Sequence, residues 1–239
     1  MDKEIKTKII QNNKRISELL SDNENTIMEA GYKPPTRNYS VESEDRIKIP
    51  AGYIRTTQQF VSNYHLMELV LDNNTRKNIA YALQLSDYYN FIVNRFFVWG
   101  SVETMFYKQM FVNIISIIEA LINESANRIN SFCKNCSSIS KCKKNINKNE
   151  RLNMKEAATK LRSLGILNIS SDDLERLIEL YDYRNRVHIR LNEQNEFLDD
   201  SFNLKLYNES IELLKRIDII LYETAVPYFN KCMGFEKKN

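Results

Sequence analysis

Glycine is the residue this chain nearly does without: 5 of 239 residues, about a third of the ordinary share. Prolines number 4. Many-stranded barrels and sandwiches need turn residues at each of their reversals. Phosphate-cradling loops and dinucleotide fingerprints need glycines close together. Neither can be assembled from this supply, so the chain is expected to be all-α. With 43% hydrophobic and 27% charged residues, it has material for one sizeable core or two small ones.

The 34 basic and 31 acidic residues leave a formal charge of +3. That describes a mixed, solvated surface, well short of the overall basicity that announces nucleic-acid binding. The start, Met1-Asp2-Lys3-Glu4-Ile5-Lys6, lacks the apolar core of a signal peptide. The longest apolar stretch, Phe111 to Ile122, is broken by Asn113, Ser116 and Glu119 and is too short to span a bilayer. The expectation is a cytoplasmic protein without membrane contact, whose four cysteines stay reduced.

Ile5, Ile9, Ile16, Leu19 and Leu20 recur at helical spacing over residues 3–20 and predict an N-terminal helical arm. Residues 21–52 hold Pro34, Pro35, Pro50, Gly31 and Gly52 and read as an extended linker. This divides the chain into an arm and linker, 1–54, and a helical body, 55–239, with a Cys/Lys-rich loop at 133–152. In the body, helices are expected near 56–71, 76–98, 102–132, 153–164 (stopped by Gly165), from Ser171 toward Leu191, and over 201–224, ending before Pro227. Asp72-Asn73-Asn74-Thr75 and Ser101 offer N-caps. No repeat of about 30 to 45 residues is visible, so an antiparallel bundle is the economical architecture.

Cys133 and Cys136, with two residues between them, and Cys142 beyond have the spacing to grip a zinc ion, and the neighbouring lysines favour thiolates. A fourth ligand would have to come from afar, from Cys232 or His65. The other reading is a solvated basic loop, Lys134 and Lys141 to Lys144 included, with incidental thiols. The aromatics between Tyr81 and Trp99 fall at helical spacing and are expected in the core, although unpaired bases also stack on such residues. His65, beside Tyr64, Leu66 and Met67, reads as a satisfied helix residue. Glu119, amid Ile114, Ile115, Ile117, Ile118, Leu121 and Ile122, needs a partner such as Arg184 or His188, or else surfaces at the helix edge. Glu124 is placed on the solvated face.

The most informative segment is Leu180-Tyr181-Asp182-Tyr183-Arg184-Asn185-Arg186-Val187-His188-Ile189-Arg190. On a helical wheel Asn185 and His188 continue the apolar stripe of Leu174, Leu177, Ile178 and Tyr181, with Arg184 on its flank; Arg186 and Arg190 point away. Polar groups placed along a buried stripe demand partners.

This segment resembles the signature of the HEPN superfamily, helical bundles carrying an Arg, a polar neighbour such as Asn, and then a His. Arg184 and Asn185 match the first two positions and His188 the third. Three residues separate Arg184 from His188, one fewer than is usual there, and an i, i+4 pair shares a helix face. The resemblance implies a homodimer with paired Arg/His sets at its interface. It also implies cleavage of RNA without a metal or other cofactor: a ribose 2′-OH attacks the adjacent phosphate, His assists proton transfer, and Arg neutralises the growing charge. Arg186 and Arg190 would help hold substrate, and Glu119 would support the site. Toxin–antitoxin and defence systems are the usual setting, so a cognate antitoxin or defence partner is implied. The alternative within the same resemblance is a catalytically inactive scaffold that binds RNA, nucleotides or another protein.

Overall fold

The computed structural model describes residues 2–31, 52–134, 152–185 and 202–232. These belong to two compact units, Met1–Pro50 and Ala51–Asn239. Every described element is a helix.

In the first unit, α1 (Lys3–Glu29) starts on Asp2, whose carboxylate accepts from the Glu4 amide. It runs past the expected end near residue 20. Nothing from 21 to 29 breaks a helix, and Ser21 and Thr26 fold their hydroxyls back onto carbonyls one turn earlier. Only at Gly31, with φ +89°, does the chain take the left-handed turn that suits a helix end. Ile5, Ile9, Ile16 and Leu19 are all exposed within this unit.

The second unit holds α2 (Thr57–Asn63), α3 (Leu66–Leu69), α4 (Asn73–Arg95), α5 (Gly100–Lys134), α6 (Met154–Ser163), α7 (Ser171–Asn185) and α8 (Leu204–Cys232). Helix α5 is the spine: α3, α4, α6, α7 and α8 all pack on it. Its Phe111, Ile114, Ile115, Ile118, Leu121, Ile122 and Ile129 are fully buried. Local chemistry sets the ends of the shorter helices. Thr56 with Gln59, and Asn153 with Glu156, form reciprocal capping boxes at α2 and α6. Asp72 caps α4 through the Thr75 amide. Gly165, with φ +71°, turns the chain out of α6.

Three expectations are corrected. The helix anticipated over 56–71 is two, because His65 sits at φ 43°, the one positive φ on a non-glycine among the described residues. Periodicity cannot register that break; the tertiary contacts of His65, given below, hold it. Second, Pro227 does not end the last helix but lies inside α8. Beyond it Phe229 is fully buried, with the Arg128 guanidinium 4.0 Å from its ring centroid. That burial carries the helix past a missing N–H. Third, much of the aromatic run is outside the core. The buried face of α4 is Ile79, Ala80, Leu83 and Ser86, whereas Tyr81, Tyr88, Phe96, Phe97 and Trp99 are exposed.

By length and composition α5 passes as a membrane-crossing helix over Gly100–Ser131, which contains an 18-residue window of mean hydropathy 1.4 and so runs well beyond the Phe111–Ile122 stretch. Half of that window is buried inside the protein, the pattern of a core helix.

Candidate functional site

Helix α7 enters the fold on Ser170, whose hydroxyl accepts from the Asp173 amide, and packs Leu174, Leu177 and Leu180 into the core. That anchoring turns its last described turn toward the middle of α5. There Arg184 Nη2 donates to Ser116 Oγ at 3.0 Å and stands 3.3 Å from Glu119 Oε2. Arg184 Nη1 donates to Asn185 Oδ1 at 2.9 Å. The Tyr181 hydroxyl, one turn back on α7, lies 3.4 Å from Glu119 Oε1.

The carboxylate expected to need a partner has therefore found Arg184. The side chains are 27% and 24% exposed, which decides two points. The pair is not sealed in the core, so it is reachable from solvent. Nor is it freely solvated, so the Coulombic attraction is stronger than that of a surface ion pair. Arg184 Nε–H and one Nη1–H have no partner among the described residues. Two such donors on a fixed, planar, partly exposed cation are suited to an oxyanion such as a phosphate. Glu119 holds the guanidinium in place and lowers its net charge, so an incoming anion meets a positioned but partly neutralised cation.

Sequence reasoning missed Ser116, which looked like an interruption of the apolar stretch. The signal was its spacing: Ser116 and Glu119 are i, i+3 on one face of α5. Arg186, His188 and Arg190 lie outside the described residues, as do Cys136, Cys142 and the side chain of Cys133. Among the described residues no three His, Cys, Asp or Glu side chains gather to hold a metal ion. Glu124 is half-buried rather than solvated, and desolvation pushes its carboxyl above the ordinary range.

His65 departs from its expected role as a helix residue. It occupies the left-handed junction between α2 and α3, its Nδ1 2.9 Å from Asp218 Oδ2 of α8, its ring stacked on Tyr222 at 4.0 Å. Asp218 is 2% exposed and its Oδ1 has no partner among the described residues. Burial pushes its carboxyl above the ordinary range and His65 pulls it back down. This imidazole and Arg184 are bound to different elements, so His65 is not part of the Arg184 network.

No family model, curated protein or solved structure matches the chain.

Proposed function

We propose that the chain is a HEPN-like antiparallel bundle that acts on RNA as a metal-independent endoribonuclease, with Arg184, Asn185 and His188 as its catalytic set. The observation that supports this reading best is the partly exposed Arg184 guanidinium, fixed by Ser116 and Glu119 and with two N–H donors unpartnered among the described residues. In the proposed step the 2′-oxygen bonds to phosphorus while the bond from phosphorus to the 5′-oxygen breaks. His188 takes the 2′ proton, and a second His188, from the other copy of a homodimer, returns one to the leaving 5′-oxygen. Arg184 bears the charge that collects on the phosphorane oxygens. Arg186 and Arg190 are assigned to the flanking phosphates, and Glu119 to positioning Arg184. A cytoplasmic toxin or defence setting, with a cognate partner protein and no membrane, belongs to the same reading.

One observation favours the inactive scaffold instead: the Arg184 guanidinium is already engaged by Ser116, Glu119 and Asn185, as in an internal structural network. Purified protein incubated with single-stranded RNA separates the two. A ribonuclease loses cleavage by at least about a hundredfold on Arg184→Ala or His188→Ala, the loss expected for a transition-state contact, keeps its fold by circular dichroism, and is indifferent to EDTA. Undiminished cleavage by either variant refutes the catalytic assignment. A lowered melting temperature for Arg184→Ala, with no cleavage by the parent protein, establishes the scaffold.

A further inference from the structure

A second polar constellation lies where the segment entering α2 crosses the end of α4. Gly52, Tyr53, Arg55, Asp87, Asn90, Phe91, Asn94 and Arg95 enclose a cleft of about 320 Å³, at the small end of ligand pockets. Arg55 forks its Nε and Nη2 onto Asp87 at 2.8 and 2.6 Å, so these charges cancel. Arg95 has no carboxylate partner among the described residues and leaves the cleft with one uncompensated cation. Its guanidinium lies 5.7 Å from the Tyr53 ring centroid, and Tyr53 is braced edge-on against Phe91 at 5.4 Å. Asn94 donates to Asn90 Oδ1 at 2.8 Å, and the joined amides still offer both a donor and an acceptor. Phe91 continues edge-on into Phe96 at 6.1 Å, and Phe97 and Trp99 follow at 89% and 76% exposed.

We propose that this cleft binds a nucleotide unit, its base against the Tyr53 ring and the amides of Asn90 and Asn94, its phosphate on Arg95. The exposed aromatics beyond are a track for further bases. A flat aromatic wall, paired amides and one spare cation meet the three parts of that ligand; a purely apolar partner would leave the amides and Arg95 unpaired. The unit comes either free or within single-stranded RNA. The assignment stands apart from the Arg184 site.

The test titrates the full chain with adenosine 5′-monophosphate by calorimetry and with a single-stranded oligoadenylate by fluorescence, Trp99 being the sole tryptophan. Both ligands should bind, and both should bind at least about tenfold more weakly to Tyr53→Ala, the worth of one stacked base, and to Arg95→Glu. Tighter binding of the oligomer with quenching of Trp99 identifies single-stranded RNA as the source; equal affinities with no quenching identify the free nucleotide. Tyr53, Asn94 and Arg95 are exposed, so these variants should keep the wild-type melting curve; Asn94→Asp supplies a further variant should one unfold. Binding of neither ligand, or unchanged affinity in the variants, overturns the proposal. Self-association relieved by Trp99→Ser without nucleotide binding also overturns it, marking the face as a protein dock. Arg184→Ala should bind adenosine 5′-monophosphate like the wild type. If it does while no RNA is cleaved by any form, the ribonuclease reading alone falls; if it abolishes binding, the cleft assignment falls.

Discussion

Replacing His65 by glycine sets two effects against each other. Left-handed backbone costs a non-glycine residue about 1–2 kcal/mol, and glycine at φ 43° relieves it. Against this, the substitution strips the Asp218 carboxylate of its imidazole partner at 2.9 Å. Asp218 is 2% exposed and its other oxygen is already unpartnered. Leaving such a charge unpaired costs about 3–5 kcal/mol; because the His65 side chain is itself 33% exposed, the lower end applies. Losing the Tyr222 stack adds about 0.5 kcal/mol, and the freer unfolded chain adds about as much again. The sum is a destabilisation of about 2–3 kcal/mol, read by equilibrium urea unfolding followed by far-ultraviolet circular dichroism. In an Asp218→Ala background the carboxylate is gone. His65→Gly should then be within about 1 kcal/mol of neutral, since only the stack, chain entropy and strain remain. The coupling between the two sites should therefore be about 3 kcal/mol. If His65→Gly stabilises the wild type, or costs the same in both backgrounds, the His65–Asp218 dyad does not hold the α2–α3 break.

Two further outcomes are expected. Pro227 is exposed inside α8 and leaves the Glu223 carbonyl without its helical donor, so Pro227→Ala should raise stability by about 1–3 kcal/mol in the same assay; a loss would mean that the proline ring packs favourably. At the surface, the Arg176 guanidinium holds the Glu209 carboxyl below its ordinary value of 4.5. A lowered acid stabilises the folded state above its unfolded value and loses that contribution as the pH falls through the folded one. Glu209→Gln should thus flatten the melting-temperature profile below about pH 4.5, by less than about 1 kcal/mol for so exposed a pair, and pH profiles that superimpose would show that the bridge contributes nothing.

Helix identity was legible wherever local chemistry decides it. Asn153 with Glu156, Asp72 with Thr75, and Gly165 all act as their residue types suggest. What stayed hidden depends on partners distant in sequence. His65 breaks a helix because of a residue 153 positions away, and Pro227 is carried because Phe229 meets α5. The same helical period that fits Tyr81 to Trp99 for a core also fits them for an outer face, and only the docking of Ile79, Ala80 and Leu83 chooses between them. At the candidate site, a carboxylate amid isoleucines announced that it needed a cation, and Arg184 supplies it. The register of α7 against α5 is not written in either helix, which is why Ser116 went unseen.

The position of α5 at the centre also governs when the second unit can assemble during synthesis. Helices α3 and α4 leave the ribosome before the surface they rest on exists, while α8, which packs on that surface as well as on α3, arrives last. The early helices must wait with Leu66 and Leu83 uncovered until the spine has been translated, and the fold closes only as the final helix docks. A chain truncated ahead of Leu204 would thus display an oily flank along α5, a natural target for chaperones that survey nascent polypeptides.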